Sequence, residues 1–112
     1  MSKIQLSAIP TTPPAGLEKD DVQEQTEKLT KRLSHLQELM YAEGKHSALV
    51  IFQGMDGSGK DGATHNVFGK CRFTGMTTTS FKKPTEEEFA HDFLWRVHKV
   101  VPQKGQIAIF NR

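Results

Sequence analysis

Residues 48–62 constrain this chain most: the apolar run Leu49, Val50, Ile51 and Phe52 breaks at Gln53 into a turn holding three glycines, and a lysine follows. A continuous apolar run of that length is expected of a strand buried on both faces of a parallel sheet. Gly54, Gly57 and Gly59 then let the backbone bend sharply and bring its N–H groups close to an anion. Lys60 supplies the charge. A helix starting near Gly59 or Lys60 would aim its free N–H groups and positive end at the same anion. The segment Gly54, Met55, Asp56, Gly57, Ser58, Gly59, Lys60 therefore fits a phosphate-binding loop, with Asp61 and Gly62 continuing it. The bland alternative is a glycine-rich turn whose lysine faces water.

One position departs from the usual loop, where a serine or threonine hydroxyl after the lysine ligates magnesium. Here Asp61 stands in its place. Asp56 and Asp61 are both carboxylates able to hold a hard cation such as Mg2+, directly or through water. Either could instead pair with Lys60 or cap the helix, and the sequence leaves both readings open.

The 112 residues suffice for one small globular unit. Lys and Arg set against Asp and Glu give −1 for residues 1–53 and +3 for residues 54–112. That imbalance favours an anionic ligand in the second half and lacks the basic stripe of a duplex-DNA binder, so no nucleic-acid partner is expected. The single cysteine, Cys71, has no partner for a disulfide or a zinc site and reads as an inert thiol. No apolar run approaches the length of a membrane span, and no signal-peptide core is evident. A cytoplasmic protein without membrane contact is the expectation.

Residues 1–18, with Pro10, Pro13, Pro14 and Gly16, read as an irregular arm. From Asp20 to Glu43, Val22, Leu29 and Leu36 recur every seven residues, interleaved with Thr26, Leu33 and Met40. This predicts one amphipathic helix, capped by Asp20 or Asp21 and closed by Gly44, that packs on its own sheet. His35 and His46 are expected to face solvent. Residues 61–70 should form the helix behind the loop, burying Ala63, Val67 and Phe68. Met76 to Phe81 reads as a second strand.

Thr85 followed by Glu88 is a capping box, so Glu86, Glu87 and Glu88 mark a helix start before they suggest a metal site. Lys82 and Lys83 lie at a strand end, where open α/β sheets bind ligands, and read equally as phosphate contacts or a solvated loop. The following helix is expected to bury Phe89, Phe93, Val97 and Val100 or Val101 on one face and to stop at Pro102. Trp95 is expected in the core, and Arg96, off that stripe, is a candidate phosphate contact. Residues 106–110 form a third apolar strand.

The strings GMDGSGKDG, FKKPTEEE and HDFLWRVHKVVPQKGQIAIFNR closely resemble the polyphosphate kinase 2 family over residues 20–112. The resemblance implies a P-loop NTPase-like, three-layer α/β sandwich with a parallel sheet and the loop strand in its middle. It also implies that Lys60 binds phosphate, that Asp56 is an essential acid, and that Asn111-Arg112 opens the Walker B region. On that reading residues 19–112 are the N-terminal part of a kinase domain, ending before the Walker B acid and the lid, and the piece alone is expected to be inactive. The implied reaction is Mg2+-dependent phosphoryl transfer between inorganic polyphosphate and AMP, ADP or another nucleoside mono- or diphosphate, in a homo-oligomer when full-length. Asp56, Lys60 and Arg112 are the expected catalytic residues. The loop from Gly54 to Gly62, with Lys82 and Lys83, is the expected phosphate-binding set. The rival readings are a thymidylate-kinase-like nucleotide kinase and a phosphate-binding fragment without turnover.

Overall fold

The computed structural model describes residues 5, 7 and 9–112. The remainder of the expected N-terminal arm lies outside the described residues. Along the chain run α1 (Lys19–Glu43), β1 (Ala48–Phe52), α2 (Lys60–Phe68), β2 (Met76–Ser80), α3 (Glu86–Ala90), α4 (Trp95–His98) and β3 (Ile107–Asn111). One 3-10 turn, Phe73–Gly75, leads into β2.

The three strands form a parallel sheet in the order β1-β3-β2. Among the described strands β3 is in the middle and the loop strand β1 is paired on one side; the central place expected of the loop strand concerns a complete kinase domain and is not decided by these three strands. Burial follows this order. Ile107, Ala108, Ile109 and Phe110 are at most 4% exposed, so β3 is the strand enclosed on both faces. In β1 burial alternates: Ala48, Val50 and Phe52 pack on the core, while Leu49 and Ile51 remain 43% and 59% exposed. An apolar run cannot by itself distinguish those two environments.

Phe68 from α2 joins Ile107 and Ile109 in the buried core, and Leu33 and Met40 of α1 pack against it with Val67, Cys71 and Met76. On the opposite face, α3 and α4 border a groove of about 570 Å³ that includes Leu49, Ile51 and Phe110. The Cα radius of gyration is 17.4 Å. A compact domain of this length would measure about 13 Å. The excess reflects the long rod of α1 and the open face of β1.

Helix α1 has the expected extent and ends on Gly44 at φ 63°, but Glu18 occupies its N-cap and no side chain caps it. Its inward face also differs. Thr30 and Gln37 are buried, whereas Val22, Leu29 and Leu36 are 41%, 64% and 50% exposed. Polar bonds set this rotation: Gln37 Oε1 accepts from the Arg72 N–H at 3.1 Å, and Ser34 Oγ donates to the Lys70 carbonyl at 2.8 Å. A buried glutamine satisfied by backbone is stable where an unpaired one would not be. The two histidines, His35 and His46, are exposed as expected.

The single helix expected after Pro84 is two short ones. Asp92 Oδ1 accepts from the Leu94 N–H at 2.8 Å, a local bond that competes with helical pairing and breaks the segment. Phe89 and Phe93 are consequently 67% and 82% exposed instead of buried. Trp95 is half-buried, stacked on His91 with Lys99 over its ring.

Candidate functional site

The loop extends the β1–β3 ladder by one step before it turns. Arg112 N–H donates to the Phe52 carbonyl at 2.9 Å, and Gly54 N–H donates to the Arg112 carbonyl at 3.0 Å. Residues 53–59 then curve back to α2, closed by a Ser58 N–H bond to the Met55 carbonyl at 3.1 Å. Gly57 and Gly59 have φ of 77° and 84°, left-handed values that L side chains rarely adopt. Gly54 is needed for space: a Cβ there would lie 2.5 Å from Ser58 Oγ.

Lys60, the first residue of α2, arches over the loop it follows. Its Nζ donates to the carbonyls of Gly54 at 2.6 Å and Met55 at 2.7 Å, and lies 3.3 Å from Ser58 Oγ. The ammonium is thereby held over the concavity, beside the start of a helix whose first N–H groups carry positive charge.

A cleft of about 500 Å³ opens there. Three segments meet in it: Asp56 to Gly62 of the loop and the start of α2, Ser80 to Lys82 from the last residue of β2 onward, and Asn111-Arg112 at the end of β3. Of the residues singled out in the sequence, Asp56, Gly57, Ser58, Gly59, Lys60, Asp61, Gly62, Lys82 and Arg112 line this cleft. Gly54 and Met55, expected in the binding set, do not line it: Gly54 pairs with Arg112, and Met55 is largely exposed. Lys83 is turned to a neighbouring groove shared with Thr85, Arg96 and Lys99. Arg96, a candidate phosphate contact in the sequence, does not line this cleft, and its Nη1 is engaged by the Lys82 carbonyl and Glu88.

Three residues that line the cleft escaped the sequence reading as site members: Ser80, Phe81 and Asn111. Phe81 lines the cleft and meets Phe110 edge to face, with ring centres 4.9 Å apart. Asn111, read only as half of a family motif, donates its side-chain amide to Asp61 Oδ1. Its own Oδ1 is buried and finds no partner among the described residues. A polar residue closing an apolar strand was the available signal.

Among the described residues, no three His, Cys, Asp or Glu side chains cluster as metal donors. Mg2+ takes one or two protein carboxylates and completes its shell with water and substrate phosphates. Asp56 and Asp61 are the two carboxylates on the cleft. Cys71 is half-buried, and desolvation raises its thiol pKa.

A parallel sheet whose strand feeds a glycine loop and a lysine-headed helix defines the phosphate-binding-loop class of α/β proteins. The family profile described as Polyphosphate kinase 2 (PPK2) matches residues 16–112. The chain belongs to the polyphosphate kinase 2 family. It is 54% identical over 84 residues to an AMP/ADP-polyphosphate phosphotransferase of Meiothermus ruber, covering 75% of this chain and 32% of that protein. It is 46% identical over 82 residues to an ADP-polyphosphate phosphotransferase of Rhodopseudomonas palustris, covering 73% and 28%. The crystal structure of polyphosphate kinase 2 from Arthrobacter aurescens TC1 superposes with a TM-score of 0.86 at 37% identity, over 100% of this chain and 42% of that one. The chain thus spans about a third of the length of the curated relatives it matches.

Proposed function

We propose that the full-length protein transfers a phosphoryl group between inorganic polyphosphate and a nucleoside mono- or diphosphate, AMP or ADP by analogy with the named relatives. The observation that carries this reading is the convergence of Lys60, Lys82 and Arg112 with two carboxylates on one glycine-lined cleft. Three cations suit a polyanion, and two acids suit a phosphate-bound cation.

In the reaction, a phosphate oxygen of the acceptor attacks the terminal phosphorus of the chain in line with the breaking P–O bond, whose electron pair stays on the shortened chain. Such a transfer needs positioning and charge neutralisation more than covalent help. The loop N–H groups and Lys60 hold the transferring phosphoryl group, while Lys82 and Arg112 offset the charge of donor and acceptor. Asp56 and Asp61 would hold Mg2+, which when bound neutralises charge on the phosphate oxygens. A single cysteine, which can form no disulfide within the chain, suits a reducing, cytoplasmic setting.

The test is Lys60→Ala in the full-length protein, assayed with polyphosphate as sole phosphate donor. Loss of transfer is expected; retained transfer overturns the assignment. Turnover only with a nucleoside triphosphate donor would instead favour the thymidylate-kinase-like reading.

A further inference from the structure

Lys82 and Lys83 sit on a four-residue arch, Lys82 to Thr85, that connects β2 to α3. One ion pair grips this arch at both ends. Arg96 Nη1 donates to the Lys82 carbonyl at 2.9 Å and lies 3.5 Å from Glu88 Oε2. The same Glu88 oxygen accepts from the Thr85 N–H at 2.9 Å, and Thr85 Oγ1 accepts from the Glu88 N–H at 3.2 Å. The guanidinium also lies over the Phe81 ring, 5.2 Å from its centre. The side chains of Arg96 and Glu88 are only 18% and 27% exposed, so solvent screens the pair less than it would on an open surface. On the inner side, Phe81 N–H donates to the Asn111 carbonyl at 2.8 Å, joining the start of the arch to β3 beside Arg112.

We infer that Arg96 is a positioning residue for the phosphate cleft: through its bonds to the Lys82 carbonyl and to Glu88, it fixes the arch that presents the Lys82 ammonium to a polyphosphate chain. The inference rests on the phosphotransferase reading of that cleft. A planar guanidinium can lie on Phe81 while donating to two acceptors; an ammonium cannot do all three in the same geometry. Arg96 touches no phosphate itself, and its influence passes through Lys82.

The full-length protein carrying Arg96→Ala, Lys82→Ala, or both is assayed with polyphosphate as the varied substrate. Arg96→Ala is expected to raise KM for polyphosphate about tenfold while kcat changes less than about threefold. Adding Arg96→Ala to Lys82→Ala should change KM no further, since the group being positioned is gone. Arg96→Lys should recover part of the loss. An unchanged KM in Arg96→Ala, or an equal effect of Arg96→Ala in both backgrounds, overturns the inference. Should circular dichroism show Arg96→Ala unfolded, Arg96→Lys with and without Lys82→Ala reads the same coupling. Failure of the phosphotransferase reading is distinguishable, because it would appear as retained transfer in Lys60→Ala whatever the Arg96 variants do.

Discussion

Asn111, closing β3, and Asp61, in the first turn of α2, are joined side chain to side chain across the mouth of the loop, although 50 positions separate them. The bond engages one Asp61 oxygen and limits how the carboxylate can turn. Groups that orient a carboxylate holding a metal, the role proposed for Asp61, commonly matter almost as much as the carboxylate itself. In the full-length protein, Asn111→Ala should therefore raise the half-saturating Mg2+ concentration or lower transfer by about 10- to 100-fold. Titrating Mg2+ at saturating substrates separates the two effects. Asn111→Asp should do worse at low Mg2+, since it sets a like charge against Asp61.

Gly75 and Gln37 are matched by shape. A Cβ on Gly75 would collide with Gln37 Nε2 and press on Tyr41. Gly75→Ala should destabilise the protein by about 1–3 kcal/mol, the usual range for overpacking. Gln37→Ala should cost about 1–3 kcal/mol, because it leaves the Arg72 N–H without its acceptor. The double variant should lose less than the sum, as one collision and one side chain vanish together. Denaturant unfolding of the full-length single and double variants measures this directly.

Cys71 gives a prediction in pH. Desolvation raises its thiol pKa, so the folded protein keeps the proton over a range where the unfolded chain has released it. This group's contribution to stability is complete below the unfolded thiol pKa and declines as pH rises through the folded one. At about pH 7.5, iodoacetamide should alkylate Cys71 more slowly in the folded than in the denatured protein. Equal rates would show that burial does not protect the sulfur.

What could be read from the residues was local. The glycine loop, the Gly44 stop and the Thr85–Glu88 capping box each depend on a few neighbouring residues, and each forms where the pattern places it. Strand order was not legible, because Leu49 to Phe52 and Ile107 to Phe110 are similar apolar runs whose enclosure depends on what lies on either side. The inward face of α1 was hidden for a related reason. Its most buried residue is Gln37, a polar side chain that only the distant backbone of Arg72 makes welcome. Phe89 and Phe93 misled because one aspartate, Asp92, interrupts the periodicity they would otherwise complete. In the cleft, Lys60 was legible from its loop, whereas the partnership of Asn111 with Asp61 required the sheet to be assembled.

The central place of β3 has a consequence for how the molecule comes into being. β1 and β2 share no ladder with each other, and both dock on β3, which the ribosome makes last of the three. The sheet must therefore wait for residues 107–111, and contacts so distant in sequence tend to close slowly. Because the Arg112 carbonyl also receives the Gly54 N–H, the nascent loop lacks that anchor until the same moment. One short segment thus seats both neighbouring strands and tethers the loop that faces the anion.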